Sequence, residues 1–465
     1  MAIYGLFMKS RIVTIAVVTA LVISIVIMLL PTPAGMDTRT WHAAALVILV
    51  ITLWATAAIP EHLTSLVFFL LAMVFAIAPA GVVFSGFASG TVWLVLGGLV
   101  MADAVNKTGL GARFARFILG RFRPSYPALL GAIALVAAVL TFVMPATLAR
   151  ILLLLPIVRA LAERMGLEPG SPGHNGAILV TVLTSYHVGT GVLPANAPNM
   201  VLSGSAEALY KVSLVYTEFF LIQFPILAFL RTILTLGLVL MLFPSRTSKD
   251  LSDVEAHKPM SGEECRLAVI LLSALVLWIT DFIHHINPGW VALGAGVACL
   301  LPRIGVSKTP GELPKLDFVM YLAGVIGMGA IMVQTGLNDM VGHAFTRALA
   351  LESGRDGINF YLLSVLGTLV GLIVTNVAQP AILVPLAESF AHAAGWPLKT
   401  ALMTIAVGFG TMILPYQVPP VLVGLRAGGI DMKTSLRLIL PVAGITIFVL
   451  VPLDYFWWRL LGLFG

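Results

Sequence analysis

The groups best placed for chemistry in this chain are hydroxyls, amides and a guanidinium, and each stands where a long apolar run is interrupted. Thr147 and Arg150 follow the interruption Met144-Pro145-Ala146. Asn196 and Asn199 follow Gly189-Thr190-Gly191. Thr375 and Asn376 break a third run, and Gly408-Phe409-Gly410 leads to Pro419-Pro420 in a fourth. The chemistry open to such a set is binding. A helix that restarts after a break presents a terminus equivalent to roughly half a positive charge, and two such ends converging favour one anion. Thr147, Thr375, Asn376, Asn196 and Asn199 add hydroxyl and amide donors. The same side chains also cap helices, so capping alone is the competing account. Arg150 sits four residues past Ala146, deep in an apolar run, where a charge is costly. Its guanidinium either forks onto substrate oxygens, pairs within the protein, or reaches cytoplasmic water.

Other polar residues have plainer readings. Arg231, in the middle of a run near Pro225, reads as a structural pair or a domain contact. Asp103 and Lys107 make an i,i+4 pair. His187 either packs with a hydrogen bond or touches substrate. Tyr455, Trp457 and Trp458 read as an interfacial aromatic belt, and His284–His285 as a solvated loop. No Ser–His dyad, no paired acids on spans and no phosphate-binding loop appear, so neither an enzyme nor an ATP-driven pump is expected. Two cysteines, Cys265 and Cys299, make no framework, and the nine histidines lack ligand spacing. No cofactor is expected.

The elements that position these groups are membrane helices. The chain has 465 residues, 59% hydrophobic and 10% charged, with a mean hydropathy of +1.02. A soluble domain is about a quarter charged. The net charge of +6 lies in short loops, where membrane orientation explains it, so no nucleic-acid partner is implied. Apolar runs fall at 12–30, 43–59, 63–80, 91–105, 127–164, 175–213, 219–243, 267–283, 288–302, 317–335, 358–393, 398–425 and 437–458. The run 12–30 is long enough to span a core of ~30 Å and reads as a retained first span. Runs 127–164 and 358–393 are too long for one span. Broken at their centres, each gives legs of about 17 residues, or ~25 Å, which suits a re-entrant hairpin. With the N-terminus in the cytoplasm, the positively charged segments 107–123, 244–266, 303–315 and 426–437 all fall inside.

The order of elements repeats. Leu96-Gly97-Gly98 and Lys107-Thr108-Gly109-Leu110 have counterparts about 227 positions later in Leu322-Ala323-Gly324 and Gln334-Thr335-Gly336-Leu337. Each Thr-Gly-Leu opens an amphipathic stretch. A broken run and then a Gly/Pro break follow in both halves. Five spans separate the two starts, so the copies are inverted, and paired interruptions in inverted halves point to a transport site near the midplane.

These residues resemble the divalent anion:sodium symporters over about residues 43–458. Members carry Ser-Asn-Thr at each hairpin tip, ten residues before a Pro, and a Thr-Pro-Pro-type break in the next span. Here Thr375-Asn376-Val377 with Pro385 matches the second tip, and Ala146-Thr147-Leu148 with Pro156 keeps only the spacing of the first. Ala197-Pro198-Asn199 and Pro419-Pro420-Val421 stand at the breaks. The resemblance implies an all-α polytopic membrane protein with inverted repeats, a scaffold and an elevator-type transport domain, assembled as a homodimer. It divides the chain into scaffold spans 1–83, a first repeat 84–215, connecting spans 216–315, a second repeat 316–430 and a last span 431–465. It implies sodium ions held near Thr147, Gly189, Gly191, Thr375, Asn376 and Gly410, and substrate near Thr147, Arg150, Asn196, Asn199, Thr375, Asn376, Pro419 and Pro420. Arg150 departs from the pattern, while its counterpart Gln379 is neutral. A guanidinium there could replace the charge of a lost sodium, leaving an exchanger or a carrier using fewer ions. The expected function is secondary transport of a small di- or tricarboxylate, sulfate or sulfonate across a bacterial inner membrane. The alternatives are another inverted-repeat carrier, of arsenite or of protons and cations, and an anion channel.

Overall fold

The computed structural model describes residues 2–119, 125–144, 146–246, 259–302, 305–306 and 313–465, for 2–10 and 12 the backbone alone. Pro145, Arg121, Arg123, Lys249, Lys258, Arg303 and Lys308 lie outside the described residues. All regular structure within them is helical. The first spans described are α1 (Ala2–Leu29), α2 (Thr38–Thr56), α3 (Glu61–Val74) and α4 (Gly90–Thr108). The amphipathic α5 (Leu110–Leu119) follows, then a hairpin of α6 (Tyr126–Val143) and α7 (Thr147–Arg164). A span broken into α8 (Pro172–Thr190) and α9 (Ala197–Tyr210) comes next. The following helix runs from α10 (Tyr216–Gln223) through a π turn, Pro225–Leu230, into α11 (Arg231–Leu242). Two connecting spans are α12 (Gly262–Ile279) and α13 (Pro288–Leu300).

The second half repeats this order. It has the span α14 (Asp317–Gln334), the amphipathic α15 (Leu337–Leu349), and a hairpin of α16 (Asp356–Ile373) returning through α17 (Gln379–Leu383) and α18 (Ala387–Ala394). The broken span is α19 (Leu398–Gly410) and α20 (Pro419–Ala427). The last helix runs from α21 (Met432–Ile445) through a second π turn, Thr446–Leu450, into α22 (Val451–Leu460). Thus each repeat is followed by a helix widened by a π turn, and the two turns pack against each other. The expected breaks, hairpins and amphipathic helices are all present. Six helices are long and apolar enough to cross a membrane among the described residues, and the chain is an integral membrane protein.

Local chemistry explains the boundaries. Ser89, Ser125 and Ser171 accept from backbone N–H groups at the starts of α4, α6 and α8, which satisfies donors the helix cannot. Ser261 and Glu264 form a reciprocal capping box at α12. The repeated Thr-Gly-Leu has a backbone cause: Gly109 and Gly336 take φ of 76° and 70°, the left-handed turn that ends a helix, and the next Leu opens the surface helix.

With no hydrophobic drive between helices in lipid, close packing holds the bundle together. A Cβ on Gly97 of α4 would fall 2.1 Å from the Ala292 carbonyl of α13, and one on Gly324 of α14 would fall 2.5 Å from Ser65 of α3. Small residues thus set both helix contacts. Sidedness is also legible. Arg113 Nε meets Glu264 Oε1 at 2.7 Å and holds that carboxyl below its ordinary range. Arg437 lies over the Phe243 ring at 5.3 Å. The positive segments 107–123 and 244–266 therefore meet on one face.

Two expectations change. Trp458 is fully buried against Phe360 and Phe464, so it belongs to the interior rather than to an interfacial belt. Its side of α22 faces the second hairpin. His284 and His285 lie in a helical turn, Asp281–His284, and its left-handed cap. Gly97→Val should cost about 1–3 kcal/mol through overpacking, lowering the thermal midpoint of the detergent-purified protein. Gly294→Val, whose Cβ meets nothing within 4 Å, should leave it unchanged.

Candidate functional site

Each hairpin tip meets the break of the following span. At the first tip, the Thr147 hydroxyl donates to Ala195 O at 3.2 Å, in the loop between α8 and α9. At the second, the backbone N–H of Asn376 donates to Gln417 O at 2.7 Å, between α19 and α20. A tip seated against the middle of another span turns back within the membrane, so the hairpins are re-entrant. Backbone that leaves helical geometry at this depth must be covered by protein, and the two tips supply that cover.

Arg150 lies at the centre of the first junction and is fully buried. Its Nη1 donates to Met144 O. Its Nη2 lies 2.9 Å from Ser185 O, 3.2 Å from Ala195 O and 3.1 Å from Thr147 Oγ1. No carboxylate takes part among the described residues. The guanidinium instead sits at the carbonyl ends of α6 and of the short turn Leu193–Ala195, beside the last turns of α8, where helix dipoles favour positive charge. Gly189 makes room for it, since a Cβ there would lie 2.9 Å from Nη2. Neither an internal salt bridge nor escape to water describes this arginine. Nor does a fork aimed at substrate, because the terminal nitrogens already bind protein oxygens.

The other expected residues divide. Asn199 Nδ2 donates to Gly189 O, Thr190 O and Val192 O at 3.0–3.3 Å. It is a clamp on the end of α8, not a free donor for an anion. Asn196 occupies the cap position of α9 without a side-chain cap bond, and its Nδ2 is buried and unpartnered. Simple capping therefore does not describe it. Gly191 faces Phe224 and Ala228, at the π turn; it is a packing glycine, away from the Arg150 cluster. Pro419 and Pro420 occupy the first positions of α20, which consequently offers no N–H there. The expected donor terminus at that break is absent for this covalent reason.

Around the second tip, Asn376, Gln379 and Gln417 are all buried. Gln417 Oε1 accepts from the N–H groups of Ile413 and Leu414 at 2.7 Å. Asn376 Oδ1, Gln417 Nε2 and both amide atoms of Gln379 lack partners. Thr375 beside them is half-buried. The second tip is thus lined by neutral amides with spare hydrogen-bonding capacity, where the first carries a guanidinium among backbone oxygens.

Sequence reasoning missed what joins the junctions. Tyr186 of α8 donates to Phe409 O at 2.9 Å and reaches Gly410 O at 3.3 Å. Arg231 Nη1 donates to Gly410 O at 2.6 Å and Nη2 to Thr190 Oγ1 at 2.8 Å. Gly410 thus offers its carbonyl to an arginine. His187 is packed, its Nδ1 3.3 Å from Thr235 Oγ1. Two buried guanidiniums therefore hold the ends of the broken helices. Asp454, fully buried on α22, was also passed over; as the sole acid of the run 437–458 it was open to notice.

The family described as sodium:sulfate symporter transmembrane region matches residues 11–464. An Escherichia coli protein described as an L-tartrate/succinate antiporter is 23% identical over 436 residues, covering 85% of this chain and 88% of its own length. The Escherichia coli inner membrane protein YbhI is 24% identical, over 95% of this chain and 96% of its own. The Alcanivorax borkumensis YdaH transporter shares the fold, with a TM-score of 0.57 at 15% identity, covering 91% of this chain and 99% of that one.

The clamp makes a sharp contrast available. Asn199→Asp exchanges a donor for an acceptor facing three carbonyls and should destabilise by about 2–4 kcal/mol. Asn196→Ala, which removes no side-chain cap bond, should cost under ~1 kcal/mol. Thermal midpoints of the purified proteins check the order.

Proposed function

The chain belongs to the sodium:sulfate symporter family, and from that premise we propose that it is a secondary carrier of small organic di- or tricarboxylates that uses Arg150 in place of a sodium ion at its first junction. The substrate class is supported by the tartrate/succinate relative. One observation carries the ion reading: a buried guanidinium ligated by three carbonyls and a hydroxyl at the ends of interrupted helices. Carriers coordinate sodium with unwound carbonyls and half-helix C-terminal ends. A tethered charge can satisfy the same oxygens, but it cannot leave with the substrate. The site then keeps its positive field for the anion while losing one coupling ion, which favours exchange or coupling through fewer ions.

The donor side of the site is the start of α7, the start of α9 with Asn196, and the polar groups Thr375, Asn376, Gln379 and Gln417 at the second tip. Unpartnered amides buried beside a break are suited to carboxylate oxygens, since leaving them unmatched is costly. The remaining parts of the proposal are an elevator motion of hairpins and broken spans against the scaffold, a homodimer, and a bacterial inner membrane with the N-terminus in the cytoplasm.

The test is exchange of radiolabelled succinate in proteoliposomes. The wild-type protein should exchange succinate in choline buffer, and replacing choline by sodium should change the rate less than about twofold. Arg150→Ala should slow exchange about a hundredfold, the scale of a lost set of charge-assisted bonds (~3 kcal/mol), with partial rescue by sodium filling the vacated oxygens. A wild-type rate that rises cooperatively with sodium from near zero contradicts the reading.

A further inference from the structure

Asp454 has no use in the account above, and it lies within electrostatic reach of the buried Arg231. Asp454 is 0% exposed and Arg231 1% exposed. Neither Asp454 oxygen has a hydrogen-bond partner among the described residues, and neither does Arg231 Nε. The two interact electrostatically, yet no hydrogen bond joins them. Each lies just beyond a π turn, Arg231 after Pro225–Leu230 and Asp454 after Thr446–Leu450. The turns lie in the helices that follow the two repeats and pack together, and π turns inside helices frequently mark functional sites.

The surroundings leave Asp454 few other charges. The π turn packed against α22 carries no titratable side chain. On α16, Asp356 accepts from Trp396 Nε1 at 2.8 Å, and Tyr361 is the other titratable group. Glu218, on α10, pairs with Lys399. On α22 itself, Tyr455 is half-buried and Arg459 is exposed. Trp458 Nε1 also interacts with the carboxyl, but stays outside hydrogen-bond geometry. Beyond Arg231 stand Tyr186 and His187 of α8.

An ionised carboxylate buried at membrane depth without a partner is costly, and such residues mark proton and ion pathways. Asp454 therefore has two favourable arrangements. Protonated, it carries no charge and needs no counter-ion. Ionised, it draws in the guanidinium of Arg231. That guanidinium now holds Gly410 O and Thr190 Oγ1, the last groups of α19 and α8 before their breaks. Moving it loosens the tie between the two broken spans. We propose that Asp454 is a proton-binding site linked through Arg231 to the broken helices, and that a proton serves as the coupling ion for transport. The inference rests on the carrier reading given above. Proton binding is the only chemical change: a carboxylate becomes a carboxylic acid, and the guanidinium returns to Gly410 and Thr190.

The experiment measures succinate accumulation in sodium-free proteoliposomes with the membrane potential clamped at zero. An inward gradient of about one pH unit should drive accumulation toward about tenfold per coupled proton. In Asp454→Asn the ratio should fall to about one, while Asp454→Glu should keep it above one. The ratio is an equilibrium quantity, so a slow variant still reports it. Should Asp454→Asn fail to fold, wild-type vesicles loaded with the pH dye pyranine decide instead: added succinate should acidify the lumen. Wild-type exchange of succinate without gradient-driven accumulation or acidification overturns the proton site alone, as does an unchanged ratio in Asp454→Asn. A wild-type protein that exchanges none of succinate, L-tartrate and citrate overturns the carrier reading, and this inference with it.

Discussion

A helix broken inside a membrane frees carbonyls that water cannot reach, and the rest of this structure follows from how those carbonyls are satisfied. Both breaks here are met by a hairpin tip, and both are tied by a guanidinium. Arg150 takes Met144, Ser185 and Ala195 at the first. Arg231 takes Gly410, and reaches across to Thr190. The exchange is favourable in both directions. An arginine buried alone is costly, and an orphaned carbonyl is costly, but together each supplies what the other lacks. Asn199 completes the arrangement by spanning three further carbonyls with one amide.

This economy has a functional consequence. A bound cation can enter, leave and carry free energy from its gradient. A side chain can do none of these. In the proposed carrier, a fixed cation therefore separates the electrostatic role of an ion, which is kept, from its energetic role, which is given up. The two repeats differ at this point. The first tip carries its own guanidinium, Arg150, while the second keeps the neutral Asn376, Gln379 and Gln417 with unmatched polar atoms. In the proposed site the symmetric architecture thus carries unlike hairpin tips, one with a guanidinium of its own and one with neutral amides.

Much of the fold was legible because membrane helices announce their interruptions. The breaks at Met144–Ala146, Gly191–Asn196, Thr375–Asn376 and Thr411–Val418 stand out against apolar runs, and the Thr-Gly-Leu repeat marks the amphipathic helices. Arg150 was legible as a departure, since a charge in such a run has few explanations. Its ligands were not, because Ser185 and Ala195 contribute carbonyls, and a carbonyl carries no residue signature. The partners of Arg231 are 41 and 179 positions away, beyond any local pattern. Trp458 was misread because a Tyr-Phe-Trp-Trp cluster near a chain end has the composition of an interfacial belt, whichever way its helix faces. The same misreading hid Asp454 four residues earlier. Pro419 and Pro420 have a simpler consequence: a proline that starts a helix also removes the N–H that an anion would need.

The most direct test of the central claim, that a tethered guanidinium holds the place of a bound cation, is an experimental structure of the protein in lipid nanodiscs with sodium chloride and succinate present. The account predicts continuous side-chain density from Arg150 ending among the carbonyls of Met144, Ser185 and Ala195, with no separate ion between them. An isolated density ligated by those same carbonyls, with Arg150 turned elsewhere, would contradict it.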